Sequence, residues 1–369
     1  MGIVLSKFID RFLGAPACAI LSLKRKKEIS EDIKSIAIIQ LWGIGETILT
    51  LPAIKRLKSS FPKSKIDIVC TSRNKDVYKG QAFIDGLNIM NIDPFSIKWF
   101  MLKNLRKYDL ALDMEEYLNT SAIISFFIGK SSIGYSHGIR SWLYSTKVRY
   151  DDKQHCSQTF MDLLKPLGID SRVAKLERLS YCKADEKEVD AVLKELNLED
   201  KRIIGLAPGV AESSRSRMWP MFTELAEAII KKKGAEIILI GAGYEKSLCD
   251  SIKNSIDKKL QDKVFNLAGR FTLPQTFCLI SRLDVLIGND SGPMHIGAAM
   301  GTRTIGLFGP NLPVRFGPLN KKSVAIYKRM PCSPCINVHK TEVPDCKYNG
   351  SDFQKCMKAI TISDVLRYI

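Results

Sequence analysis

The chain has no run of 18 or more uncharged apolar residues in its 369, so no membrane-spanning helix is expected. Its ten cysteines are too sparse for a disulfide scaffold. Six of them (Cys18, Cys70, Cys156, Cys182, Cys249, Cys278) stand singly and read as buried or bystander thiols of a reducing compartment. No internal repeat or low-complexity tract is visible. The loop "QLWGIGETILTLPAIKRLK" lacks what either common cofactor loop needs. After Gly43 and Gly45 the third glycine position holds Ile48, which removes the dinucleotide fingerprint, and no lysine-serine pair makes a phosphate loop.

What remains is a globular chain, 45% apolar and long enough for two domains. A formal charge of +17 points to anionic partners: nucleic acid, an acidic membrane or phosphorylated substrates. Nucleic acid is set aside, because there is no recognition-helix or RRM signature and no aromatics are interleaved with a basic stripe. In segment 1–33, Ile3, Val4, Phe8, Ile9, Phe12 and Leu13 recur at helical spacing, and an apolar run to Leu23 precedes Lys24, Arg25, Lys26 and Lys27. A signal peptide would carry its basic residues first. The segment reads as an amphipathic membrane-associating helix with a polybasic clamp on anionic lipid; the alternative is a helix packed on the protein itself.

From residue 35 onward, β-rich runs alternate with amphipathic helices, the pattern of βαβ units and a parallel sheet. Strands are expected at Ile36 to Leu41, Ile66 to Cys70 and Leu110 to Leu112, with a helix from about Glu46 to Ser60. After the charged stretch "KADEKEVDAVLKELNLEDKR" the pattern restarts, with strands at Ile203 to Leu206, Glu236 to Ile240, Val264 to Asn266, Val285 to Ile287 and Thr304 to Phe308. A helix opening at Pro220 should bury Phe222, Leu225, Ala226, Ile229 and Ile230 and stop at Gly234. The expected organisation is therefore α/β, two Rossmann-like domains over 34–185 and 186–369, facing each other across a cleft.

Four loops carry chemistry. Glu46 opens a helix just after Gly43 and Gly45; it either complements the helix dipole or serves as a general base at the cleft. In "LAPGVAESSRSRMWP", Gly209 turns the chain while Ser213 and Arg217 converge on a helix start, a phosphate-binding arrangement whose plain alternative is an exposed basic loop. In "IGAGYEKS", Glu245 can accept hydrogen bonds from ribose hydroxyls. In "GNDSGPMHIGAAMGTRTIGLFGP", Ser291 and Gly292 offer amides at a helix start, Asp290 can hold sugar hydroxyls and His295 follows on the first turn.

Taken together, "GETILTLPA", "APG" with "SRMWP", "GAGYE", "NLAG" and "GNDSGPMHIGAAMGTRTIGLFGP" resemble the ADP-heptose:lipopolysaccharide heptosyltransferases, glycosyltransferase family nine, over about residues 35 to 369. The resemblance implies a GT-B architecture, with the acceptor on the first domain and the nucleotide-sugar on the second. It implies Glu46 as the base on the acceptor hydroxyl, in a family that commonly has Asp there. It implies Arg217 on the donor phosphates where many members have Lys, Ser213 beside the diphosphate, Glu245 at the nucleoside, and Asp290, Ser291, Gly292 and His295 around the donor sugar and phosphates. The reaction implied is an inverting, single displacement of heptose from ADP-heptose onto a lipopolysaccharide inner-core Kdo or heptose acceptor. Its place would be the cytoplasmic face of the inner membrane, on an anionic membrane surface. No Asp-x-Asp occurs, so a metal-dependent transferase of the other common fold is not expected and no catalytic cofactor is required.

"YDLALDMEEYLNTS" departs from the Asp-x-Gln-Gly pattern of core heptosyltransferases. It still supplies Asp113 as a second candidate base, with Glu115 and Glu116 to orient an acceptor, and His155 is a further acceptor-side candidate. The alternative is that the same fold transfers heptose or another nucleotide-activated sugar to a protein hydroxyl or another surface glycan. Near the C-terminus, Cys332, Cys335, Cys346 and Cys356 could close a tetrahedral structural zinc or iron site. Related autotransporter heptosyltransferases are thought to carry a comparable four-cysteine finger; the plain alternative is reduced thiols or an adventitious disulfide.

Overall fold

Short runs of Ile, Val, Leu and Ala, buried on both faces, form the strands, as all-parallel sheets covered by helices require. The computed structural model describes residues 10–23, 28–41, 43–337 and 346–369, apart from the side chains of Arg11, Glu212 and Ser213. The chain divides into two compact units, one running through Val173 and the other from Ala174 through Asn337 with the C-terminal segment from Cys346.

In the first unit, β1 (Ser35–Ile39), β2 (Lys65–Cys70), β3 (Gly86–Ile89), β4 (Tyr108–Asp113), β5 (Gly129–Tyr135) and β6 (Thr146–Val148) form one sheet. Its order is β3-β2-β1-β4-β5-β6, every pair parallel. The second unit repeats the plan with β7 (Ile203–Ala207), β8 (Glu236–Leu239), β9 (Val264–Asn266), β10 (Val285–Asn289), β11 (Arg303–Phe308) and β12 (Val324–Tyr327). Its order is β12-β11-β10-β7-β8-β9, again all parallel. Counted within each half, both follow the doubly wound order 3-2-1-4-5-6. That order reverses direction between β1 and β4 in one unit and between β7 and β10 in the other, and ligands bind outside the carboxyl ends of strands at such a point.

Eight expected strands are present, with boundaries shifted by a residue or two. The expected helices are too: Ile44–Ser60 follows β1, and Phe222–Lys233 buries Phe222, Leu225, Ala226, Ile229 and Ile230 before ending on left-handed Gly234. β3, β5, β6 and β12 had no counterpart in the sequence reading. β5 is the instructive one: in "GKSSIGY" the buried Ser131 and Ser132 satisfy their hydroxyls on the Asp109 carbonyl and the Ser145 amide, so a polar run occupies an interior strand.

The helix Ala15–Leu21 packs on the first unit through Cys18, which is buried with Ala122, Phe126, Leu143 and Tyr144. Asp10 caps the helix Asn119–Ile128 from a distance. Its carboxylate accepts from the amides of Asn119 (3.0 Å) and Thr120 (2.7 Å) and from the Thr120 hydroxyl (2.6 Å). Leu13 and Ile20 remain outward. The other expectations for this segment, from Ile3 through Ile9 and for Lys24, Arg25, Lys26 and Lys27, lie outside the described residues. Among the described residues no helix is long and apolar enough to cross a membrane.

In the second unit the core runs from Trp219 and the Phe222–Lys233 helix through β7, β8, β10 and β11 to Met357, Ile360 and Val365. Residues 174–185 are tied to this unit by Arg178, whose guanidinium donates to the Met300 carbonyl at 2.8 Å.

Candidate active site

At the carboxyl ends of β1 and β4, pairing of Ile39 with Asp113 sets the loop holding Glu46 beside the one holding Glu115 and Glu116. Gly43 adopts φ +24°, and a Cβ there would collide with the Glu46 carboxylate, which folds back over the glycine backbone. Glycine is thus required for Glu46 to take this pose. Gly45 is buried in the first turn of the same helix.

Asp113, the second candidate base, is fully buried, and its Oδ2 is held by three donors: the Arg140 guanidinium at 2.8 Å, the Tyr144 hydroxyl at 2.7 Å and the Ser121 hydroxyl at 2.9 Å. Its Oδ1 accepts from the Glu115 amide. Arg140 also donates to the Glu115 carbonyl at 2.6 Å, so the buried pair fixes the loop that carries the acids. Glu115 is itself buried, its Oε1 accepting from the Leu41 amide at 2.5 Å, which ties the loop after β4 to the loop after β1. Glu116 is buried against the Cys156 thiol. His155 caps the helix Cys156–Asp162 by accepting from the Ser157 amide through Nδ1.

The electrostatics of this edge are acidic. Burial first, and then the nearby Glu115, Glu46 and Glu116 carboxylates, push the Tyr117 phenol far above its ordinary range.

The second unit has the opposite character. Between β7 and β10, Arg217 pairs with Asp290 at 3.2 Å, and Asn311 donates to the same Asp290 oxygen at 2.9 Å. Asn289 holds the frame: its side chain accepts from the Trp219 amide and donates to the Pro208 carbonyl, joining the β7 loop to the end of β10. The helix Gly292–Met300 begins with Ser291 at the N-cap, yet the Ser291 hydroxyl makes no cap bond and turns to the Asn289 carbonyl. With Pro293 in the first turn, the helix start is left to bind an anion through backbone amides and dipole. His295 is buried one turn in. Ser213 lies in the short turn Glu212–Arg217, and its side chain is outside the described residues.

Glu245 repeats the motif seen at Glu46. Its carboxylate accepts from the Ala242 amide at 2.7 Å and lies over Gly209, where any Cβ would strike it. Burial raises its proton affinity, and the Ala242 hydrogen bond works against that rise.

The four C-terminal cysteines come together around one hollow, lined also by Lys347 and Lys355. Burial and the neighbouring Cys332, Cys335 and Cys346 thiols push Cys356 up to about 11. Among the described residues, however, no group of three or more His, Cys, Asp or Glu is arranged to hold a metal ion. The donor set suits a metal in composition and not in its present spacing.

Sequence reasoning missed Arg140, Asn289 and Asn311. Arg140 was one of 56 basic residues and had no motif; its only signal was its place two residues after the hydrophilic "YSHG" stretch.

Two doubly wound halves, one with carboxylates at its switch point and the other with a cation and an open helix start, define a nucleotide-sugar glycosyltransferase of the GT-B type. The chain belongs to glycosyltransferase family 9, the heptosyltransferase family, whose model matches residues 100–344. It is 26% identical over 338 residues to lipooligosaccharide heptosyltransferase 2 of Haemophilus ducreyi, covering 84% of this chain and 92% of the relative. To lipopolysaccharide heptosyltransferase 2 of Escherichia coli it is 25% identical, covering 80% and 88%. Its fold matches a family 9 glycosyltransferase from Veillonella parvula with a TM-score of 0.76 at 21% identity, covering 93% of this chain and 97% of that one. An iron-containing dodecameric glycosyltransferase, TibC of enterotoxigenic E. coli, matches at a TM-score of 0.59 and 12% identity, covering 94% and 77%.

Proposed function

We propose that the enzyme transfers heptose from ADP-heptose to an inner-core Kdo or heptose of lipopolysaccharide, with inversion and without a catalytic metal. The observation that carries this reading is the Arg217–Asp290–Asn311 constellation beside the uncapped start of the Gly292–Met300 helix. A diphosphate placed there exchanges the Asp290 carboxylate for its own oxygens on Arg217, and the freed Asp290 turns to the sugar hydroxyls. Glu245 accepts from the ribose. Ser213 and His295 complete the donor loop.

Glu46 is the base in this scheme, because Asp113 is already saturated by Arg140, Tyr144 and Ser121. Glu46 takes the proton from the acceptor hydroxyl, the hydroxyl oxygen attacks the anomeric carbon, and the bond from that carbon to the diphosphate oxygen breaks on the opposite face. Arg217 and the helix amides stabilise the charge that leaves with ADP. Glu115, Glu116 and His155 bound the acceptor side on the first unit. We further place the enzyme at the cytoplasmic face of an anionic inner membrane, held there by segment 1–33. The four cysteines would hold a structural zinc or iron once their thiols are drawn together and deprotonated, with no part in the reaction.

The test is calorimetric titration of the full chain with ADP-heptose, ADP-glucose, UDP-glucose and ADP, each with and without EDTA. Selective, EDTA-insensitive binding of ADP-heptose is expected, weakened by Arg217→Met about 10- to 100-fold through loss of charge-assisted hydrogen bonds. A folded sample that binds none of the four sinks the donor assignment.

A further inference from the structure

The helix Pro94–Lys103 is apolar on two faces, and among the described residues only one of them is packed. Ile97, Phe100 and Met101 pack inward against the core formed by β1, β4 and the Asn119–Ile128 helix. Phe95, Trp99 and Leu102, spaced i, i+4, i+7, point outward and are 79%, 64% and 60% exposed. Asp93 caps the helix by accepting from the Ser96 amide, so the helix is built and held independently of whatever covers its outer face.

The surroundings of that outer face are basic. Lys98, Lys103, Arg106 and Lys107 lie between Asp93 and Asp109 with no acidic residue among them. Leu105, just beyond the helix, is 54% exposed. The second exposed apolar element of this unit, the helix Ala15–Leu21, packs against the same Asn119–Ile128 helix, and Ile20 and Leu23 are 69% and 88% exposed. Ile123 and Phe127 of that shared helix are themselves only half-buried.

We infer that the outer face of the Pro94–Lys103 helix is a membrane-inserting surface that docks on an anionic lipid bilayer. A Trp and a Phe set among aliphatics suit the interface between headgroups and acyl chains, and flanking lysines suit acidic headgroups. A second copy of the chain fits poorly, because a two-fold contact on this face would oppose each basic rim to its own duplicate. This surface is separate from segment 1–33 and from the donor chemistry, and its test uses no sugar.

The full-length protein is mixed with vesicles of phosphatidylglycerol and phosphatidylethanolamine, and in parallel with pure phosphatidylcholine. Co-sedimentation should favour the anionic vesicles and weaken with salt. Phe95→Ser/Leu102→Ser should lower the partition coefficient about tenfold or more, and Lys98→Gln/Lys103→Gln about fivefold for each charge removed. Because these side chains are outward, both variants should retain the wild-type circular dichroism and melting curve. Trp99, one of four tryptophans, reports by difference: the emission that Trp99→Phe removes should shift to the blue on vesicle binding and be quenched by brominated lipid, while that variant leaves binding nearly intact. Unchanged partitioning of folded Phe95→Ser/Leu102→Ser, or a Trp99 emission that vesicles do not alter, overturns the inference. So does a wild-type dimer in sedimentation that the same variant turns monomeric, since the face would then belong to a second copy.

Discussion

Replacing Asp113 or Arg140 should damage stability first and turnover only in consequence. The two groups are 0% and 2% exposed and 2.8 Å apart, and they share Tyr144 and Ser121 as further partners. Arg140→Met leaves a buried carboxylate with only neutral donors, the Tyr144 and Ser121 hydroxyls and the Glu115 amide, and strips the Glu115 carbonyl of its partner. Removing one member of a buried pair costs about 3–5 kcal/mol. For a unit of this size each kcal/mol moves the midpoint roughly 2–4 °C, so a fall of roughly 6–20 °C is expected. Asp113→Asn keeps the volume but leaves the guanidinium buried without its counter-charge, at a similar cost. The double variant should lose less than the sum of the two, with a coupling of about 2 kcal/mol or more, because each single change already abandons the same interaction. Denaturant unfolding of the four proteins measures this cycle, and turnover is measured well below the lowered midpoint. Additive losses within about 0.5 kcal/mol would refute the coupling. A Asp113→Asn protein of wild-type stability with turnover down a hundredfold would make Asp113, not Glu46, the base.

Three further outcomes are expected. Glu46→Gln should lower kcat by about 10²–10⁴-fold with little change in KM or melting temperature, as loss of a general base does; a fall of less than tenfold would remove Glu46 from that role. Gly209→Ala should cost little stability, since the colliding atom is the mobile end of Glu245. It should instead weaken ADP binding to the same extent as Glu245→Ala, the two effects failing to add; independent, additive losses in calorimetry would contradict the shared cause. Asp109 is opposed by burial, yet the Lys130 ion pair, the Ser35 hydroxyl and the Lys34 and Ser35 amides outweigh that and hold its carboxyl at about 2 against an ordinary 3.8. A depressed carboxyl stabilises the fold above its unfolded value and loses that contribution as pH falls toward its folded one. Asp109→Asn should therefore cost about 2 kcal/mol at neutral pH, and the gap from wild type should close as pH drops from about 4 to about 2; a pH-independent gap would show that the charge is not its source.

The doubly wound plan was legible because the central strands, such as "IAII" of β1 and "VLIG" of β10, are buried on both faces and contain little else that could form. The edge and polar strands were not. β5 depends on serine hydroxyls finding partners on strands and loops far away in sequence, which no local pattern records. The site shows the same division. Asp290 and the helix start after it stood out as a polar block between two strands, whereas little in the local sequence marks Arg140 as an arginine that answers a fully buried carboxylate. Gly209 stood out as a turn residue and Gly43 as a glycine just ahead of a helix start. That each makes room for a glutamate's own side chain follows only from where Glu46 and Glu245 come to rest.

The hydrogen bonds that Asp10 accepts from Asn119 and Thr120 bear on how the protein can be trimmed. A shortened version starting at β1, the obvious choice for anyone wanting to shed the greasy first helix, would uncap a helix more than a hundred residues downstream, at a cost of about 0.5–2 kcal/mol. It would also expose the Ala122, Phe126 and Leu143 surface that Cys18 covers. Any behaviour such a truncation shows on membranes then confounds a missing anchor with a loosened fold. Point changes at Leu13 and Ile20, with Asp10 left in place, would separate the two.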